Sequence, residues 1–270
     1  MHRDGGTIPG RVLRAETIMF PHAHRALAVP AAAGVSGRDA VAALGLDPPP
    51  ALIVLNGGTE LSPQLTPALR RLLADGLARL AIDEQVTALT GGTDAGVFAL
   101  FGQGLGDERS APCIGVAPAA LVTWPGRNDG AALRGRDPDA ALVPLEPHHS
   151  HFLLVEGDEW GVETEAMMAL ADALAARCPS IAVLAGGGAG AKREVLRHID
   201  LGREVVVLAG TGRYADDLAA AQTGSGPADA EAKEAAASGL LTVFDAEAPP
   251  AALRELVARR LKLSSAEPRR

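Results

Sequence analysis

The sequence predicts an α/β fold of the doubly wound kind, and three observations predict it. Short β-branched apolar runs alternate with segments whose apolar residues recur at spacings of three and four. Each run closes on Gly or Pro, which is the signature of βαβ units and a mostly parallel sheet. The chain has 270 residues, 47% of them apolar, enough to bury a sizeable core. Because parallel crossovers are right-handed, the alternation yields an open twisted sheet with helices on both faces.

The runs give about seven or eight strands. In order they are expected near Ala26 to Pro30, Ala51 to Asn56, Val86 to Thr90, Cys113 to Pro118, His151 to Glu156, Ile181 to Gly186 and Glu204 to Gly210, with a weaker one near Leu240. Helices are expected over Pro63 to Leu80, Thr93 to Leu105, Val162 to Arg177, Ala191 to Ile199 and Arg213 to Ala221. Trp124 to Pro147 is rich in Gly, Pro, Asp and Arg and reads as a long surface excursion with the makings of a lid. Gln222 to Ser238 reads as a flexible connection followed by a helix, and the tail SSAEPRR as frayed. The expectation is one domain over residues 1–270, with its core at about 24–222 and a helical extension over 223–270.

Composition narrows the function. The formal net charge is −8 and the acidic residues are spread along the chain, so no basic surface can neutralise a nucleic-acid backbone. A nucleic-acid polymer is excluded as a partner. Cys113 and Cys178 lack metal-ligand spacing and fit a reducing compartment. The opening MHRDGGTIPGR has no signal-peptide core, and no apolar run reaches membrane-spanning length. A cytoplasmic location, with no membrane partner, is the expectation.

In a doubly wound sheet the ligand crevice lies at the carboxyl ends of the strands, and there the glycines cluster. Four turns stand out: Asn56-Gly57-Gly58-Thr59, Thr90-Gly91-Gly92-Thr93-Asp94-Ala95-Gly96, Gly186-Gly187-Gly188-Ala189-Gly190 with Ala191, and Gly210-Thr211-Gly212-Arg213. Without Cβ atoms a backbone can approach a phosphate closely, and the free N–H groups of a helix's first turn favour an anion. Thr59, Thr93 and Thr211 offer hydroxyls, while Lys192 and Arg213 offer positive charge. No Walker P-loop and no dinucleotide GxGxxG occurs in proper context, so ATP hydrolysis and hydride transfer lose ground.

The series TGGTDAGVFALFGQGL, CIGVAP, HSHFLLVEGDEWGVETE, IAVLAGGGAG and VVVLAGTGRYADDL resembles the SLOG superfamily. Within it, the resemblance is to the LSDAT branch, related to the N-terminal cytosolic region of melastatin-type TRP channels, and it runs from about Leu52 to Leu218. It implies a Rossmann-like domain that binds nucleotide-derived ligands such as ADP-ribose relatives, as a sensor. It also implies kinship with LOG enzymes, which hydrolyse the N-glycosidic bond of nucleoside 5′-monophosphates and carry a PGGxGTxxE motif. Here Gly186 to Glu194 reads GGGAGAKRE, with Gly187, Gly188, Gly190 and Glu194 in register. Gly186 replaces the motif's Pro and Ala191 its Thr, and the enzyme branch's catalytic Arg has no counterpart between Val162 and Ala176. Glu194 could serve the glycosidic chemistry, but nothing obvious helps the leaving base. Binding is therefore preferred over catalysis, with no required cofactor, a homo-oligomer, and a separate effector protein as a further partner.

Two constellations remain. In an extended segment His149 and His151 of HHSH would point to one side and His148 to the other, so the expectation is a structural role and no metal site. The acidic run Glu156, Asp158, Glu159, Glu163 and Glu165 reads mostly as a solvated loop, with Glu163 and Glu165 as contacts for a ribose or base. Asp94 also reads as a helix cap.

Overall fold

The computed structural model describes residues 13–107, 111–127, 142–226 and 229–263. The strands are β1 (Glu16–Met19), β2 (Arg25–Ala31), β3 (Leu52–Gly57), β4 (Thr87–Thr90), β5 (Cys113–Pro118), β6 (Val122–Thr123), β7 (Val143–Pro144), β8 (His151–Val155), β9 (Ser180–Ala185), β10 (Val205–Ala209) and β11 (Leu241–Asp245). Nine of them form one sheet in the order β1-β2-β8-β5-β4-β3-β9-β10-β11, and β6 pairs with β7 apart from it. Every pairing in the large sheet is parallel except β1 on β2.

The helices are α1 (Gly37–Leu44), α2 (Thr66–Arg70), α3 (Arg79–Glu84), α4 (Gly96–Leu105), α5 (Thr164–Ala175), α6 (Ala189–Asp200), α7 (Arg213–Thr223), α8 (Ala230–Ala237) and α9 (Pro250–Arg260). A π-helical stretch, Arg71–Ala78, joins α2 to α3. Alternation along the strands divides the core between the faces. Leu52 and Val54 of β3 face the core shared with α1, α5, α6, α7 and α8, whereas Ile53 and Leu55 face the core shared with the α2–α3 stretch, α4 and α9.

This arrangement creates the switch point. From β3 the chain crosses by α2 and α3 to β4, and from the neighbouring β9 it crosses by α6, on the opposite face, to β10. The two connections part just beyond the register pair Gly57↔Ala185 and leave a crevice between them.

The doubly wound sheet agrees with expectation, with one strand more than foreseen. The addition, β1, is a four-residue antiparallel edge with a single buried position, Ile18. Such a segment is too short to show a period. Helix α1 is also additional, although Ser36 caps it by accepting the Asp39 N–H at 3.1 Å. Helix α4 begins at Gly96 rather than Thr93, because Thr93 forms an antiparallel bridge with Leu145 and the Asp94 N–H donates to the Pro144 carbonyl at 2.7 Å. Asp94 makes no cap: the N-cap position is Ala95, without a side-chain bond. Of the expected excursion, residues 128–141 lie outside the described residues, as do 227–228 of the expected connection and 264–270 of the tail. The end of the excursion is not surface, since Leu145 and Glu146 are buried.

Candidate functional site

A cavity of about 390 Å³ fills the crevice at the ends of β3, β4 and β9. Gly57, Gly58 and Thr59 form one wall, Gly91, Thr93 and Phe98 a second, and Gly188, Gly190, Ala191 and Glu194 a third. Trp160, Gly161, Glu163 and Thr164 close it from the loop after β8, and Arg193 and Arg213 bring positive charge. Three of the four glycine turns thus meet at one place.

The turn from β9 into α6 is the open one. Its N-cap, Gly188, makes no side-chain capping bond, and the Lys192 N–H, donating to the Gly188 carbonyl, is the first to close a helical turn. The preceding N–H groups, of Ala189, Gly190 and Ala191, have no carbonyl available within the helix, and all three residues line the cavity. The turn from β10 into α7 is closed by contrast. Gly210 and Gly212 donate their N–H groups to Asp216, and the N–H groups of Tyr214 and Ala215 donate to the carbonyls of Gly187 and Gly186. Thr211 accepts the Gly186 N–H and donates to the Leu208 carbonyl. Of this turn only Arg213 reaches the cavity, from a backbone with φ of 54°, while its guanidinium pairs with the exposed Glu60.

Gly92 and Gly96 work behind the wall. At φ +70° Gly92 packs so closely on Gly115 that a Cβ would come within 2.7 Å of its Cα. Gly96, at φ +54°, lets α4 start against the Gly58 carbonyl and the Thr59 backbone. Lys192 points away and is held by Asp229 at 2.5 Å and Glu231 at 2.6 Å, bonds that raise its pKa. Glu165 likewise faces outward, towards Arg197. The residue that brings charge from α6 is Arg193, three positions after Gly190 and so on the face that Gly190 turns to the cavity.

Two buried hydroxyls in the lining, of Thr93 and Thr164, have no hydrogen-bond partner among the described residues. Buried polar atoms are paired as a rule, so both are open to a ligand atom. The carboxyls are held under tension. Burial pushes the Glu194 pKa up, Glu163 pushes it further by repulsion, and a hydrogen bond from Asn56 Nδ2 at 2.7 Å pulls the other way. Burial also raises Glu163, whose carboxylate accepts the Gly161 N–H at 2.7 Å.

Behind Glu194 runs a polar chain that sequence reasoning did not detect. Arg203 can only donate, so His198 Nδ1 accepts from it at 2.7 Å. His198 Nε2–H then donates to Asn56 Oδ1 at 3.0 Å, and Asn56 Nδ2 to Glu194. Burial first, and Arg203 second, hold the His198 pKa down at about 3, so the ring is neutral. Arg203 is anchored in turn by Asp172 at 2.7 Å. Every bond points towards Glu194, whose place is therefore fixed.

The histidines ahead of β8 depart from the extended arrangement expected of them. His148 and His149 converge on Glu146, their Nδ1 atoms 2.6 and 2.7 Å from its two oxygens, while His149 Nε2 meets Thr90 Oγ1 at 2.7 Å. His151 sits apart, against Ser150 Oγ, with its pKa lowered by burial. The pair converges because residues 146–149 turn before the strand begins.

Residues 50–254 match the family described as SLOG in TRPM, prokaryote. The chain belongs to that family. It is 30% identical over 200 residues to human Transient receptor potential cation channel subfamily M member 7, covering 63% of this chain and 10% of that one. It is 27% identical over 203 residues to rat subfamily M member 2, covering 65% and 13%. A Transient receptor potential channel of Caenorhabditis elegans is 29% identical over 197 residues, covering 64% and 10%. The chain thus spans about a tenth of the length of the curated relatives it matches. No helix among the described residues is long and apolar enough to cross a membrane.

Proposed function

We propose that this member of the family binds a nucleotide-derived ligand, ADP-ribose or a close relative, in the crevice between β3, β4 and β9. The observation that carries the reading is the unfinished chemistry of one cavity. It combines the buried, unpartnered hydroxyls of Thr93 and Thr164 with the open N-terminus of α6 and the guanidinium of Arg193. A phosphate suits the α6 N-terminus and Arg193. A ribose diol suits the carboxylates of Glu163 and Glu194, and the half-exposed Trp160 offers a face to a base. Occupancy is then passed on through self-association or a separate effector protein, in keeping with a cytoplasmic sensor.

A thermal-shift panel of ADP-ribose, cyclic ADP-ribose isomers, NAD and nucleoside monophosphates tests this. A ligand that binds the native state alone raises Tm in proportion to its affinity and concentration. The reading expects a rise with ADP-ribose or a near relative and no new product by chromatography. No rise with any nucleotide would refute it.

The fixed, raised carboxyl of Glu194 favours one second reading, an N-glycoside hydrolase acting on nucleoside 5′-monophosphates. Its mark would be free base released by the wild type and not by Glu194→Gln. Absence of turnover across the common monophosphates removes it.

A further inference from the structure

A second cluster lies around His148, and nothing in the binding reading uses it. His24, just ahead of β2, is buried, and its Nε2 stands 2.6 Å from Asp107 Oδ1. Asp107 follows the end of α4, and its side chain is 89% exposed. The rings of His24 and His148 meet edge to face with centroids 5.1 Å apart. One ring nitrogen of each histidine and a carboxylate oxygen of Asp107 lie within 4.8 Å of one another.

We propose that His24, Asp107 and His148 bind a divalent transition-metal ion, with Zn²⁺ as the representative. Two imidazoles and a carboxylate make a donor set of borderline softness suited to zinc, and three protein ligands leave one position for water or a further ligand. Ligand atoms around a tetrahedral ion with bonds of about 2.1 Å stand about 3.4 Å apart, so side-chain adjustment alone closes this cluster on an ion. The carboxylate of Asp107 is exposed and so within reach of an ion in solvent.

The support behind His148 is what distinguishes the cluster from a histidine paired by chance. Its Nδ1 is held by Glu146 Oε1 at 2.6 Å, which leaves Nε2 as the coordinating nitrogen. A buried carboxylate behind a ligating imidazole fixes the ring and its tautomer and raises its basicity. Glu146 is itself fixed by His149 and by the close pass of Gly102 in α4. A bound ion ties three distant stretches together: the approach to β2, the end of α4 and the approach to β8. HHSH by itself offers at most two convergent ligands; the proposed set takes only His148 from it and adds His24 and Asp107 from distant parts of the chain.

The test is a titration of tag-free, chelator-stripped full-length protein with Co²⁺ and Zn²⁺. The expected result is one ion per chain, a visible Co²⁺ absorption of low-coordinate form that Zn²⁺ abolishes, and a Tm that rises with Zn²⁺. Asp107→Ala alters an exposed side chain and leaves the fold intact, and it should weaken Zn²⁺ binding at least about tenfold. His24→Ala and His148→Ala should remove the Co²⁺ absorption, and His22→Ala, at an exposed neighbour outside the cluster, should leave it unchanged. Unaltered Zn²⁺ affinity in Asp107→Ala, or no such absorption in the wild type, would overturn the proposal.

Discussion

Glu146 and Glu194 are both carboxylates set into this protein, and their surroundings push them in opposite directions. Burial raises both. At Glu146 the hydrogen bonds from His148 and His149 outweigh burial and hold the pKa at about 2. At Glu194 the single bond from Asn56 does not offset burial, and Glu163 adds repulsion, so the pKa stays raised. At Glu146 each carboxylate oxygen is matched by a histidine. The region around Glu194 combines a raised carboxyl pair, two orphaned hydroxyls and an uncapped helix. Chemistry completed within the fold serves stability, and chemistry left open marks the place where a ligand completes it.

The sharpest way to break this comparison is to remove each carboxylate. Glu146→Ala strands the buried His149 and the half-buried His148 and should cost about 3–5 kcal/mol in urea unfolding, the scale for breaking a buried charged pair. Glu194→Gln should cost nothing or stabilise slightly, since it removes a charge that burial and Glu163 disfavour. A large loss for Glu194→Gln would erase the distinction.

The second prediction concerns pH. Glu146 ionises more readily folded than unfolded, so its contribution is complete above its ordinary value of 4.5 and is lost as pH falls from there towards about 2. That is on the order of 3 kcal/mol, read from denaturation midpoints across the interval. Glu163 and Glu194 act with the opposite sign. Their folded pKa values are raised, so they subtract stability as pH rises from 4.5 through those values, and Glu163→Gln should flatten that limb. A stability curve with no acid limb in the wild type would contradict the assignment of Glu146.

Two smaller effects concern the cavity alone. At Gly190 an added Cβ would meet nothing within 4 Å, and the residue has no positive φ, so Gly190→Phe should fill the cavity and reduce ADP-ribose affinity by about thirtyfold or more with little change in Tm. Arg193→Ala should cost about tenfold in affinity, the scale of one charge-assisted hydrogen bond, while Lys192→Ala should cost nothing. Equal losses at the two positions would mean that α6 faces its ligand differently.

The parallel sheet was legible because strands covered on both faces leave continuous apolar runs, and β3, β5, β8, β9 and β10 all carry one. The edge strand β1 was not, because four residues with one buried side chain show no period. The glycine turns located the crevice, yet sequence could not separate turns whose N–H groups are free from those already engaged. Gly210 and Gly212 give theirs to Asp216, a partner fixed only once α7 folds back. Arg193 stands at helical spacing from Gly190, a period that its neighbour Lys192 does not share. The chain from Arg203 to Glu194 joins α6 and β3 to the start of β10, and no local pattern announces it. The convergence of His148 and His149 on Glu146 was hidden by treating the segment as extended.

The central claim is that the crevice at β3, β4 and β9 holds the ligand, and isothermal titration of ADP-ribose into the wild type and Gly190→Phe tests it most directly. The account predicts saturable binding at one per chain in the wild type and its loss in a Gly190→Phe variant that melts like the wild type. Binding of equal strength in both, or no heat with ADP-ribose or any related nucleotide, would contradict it.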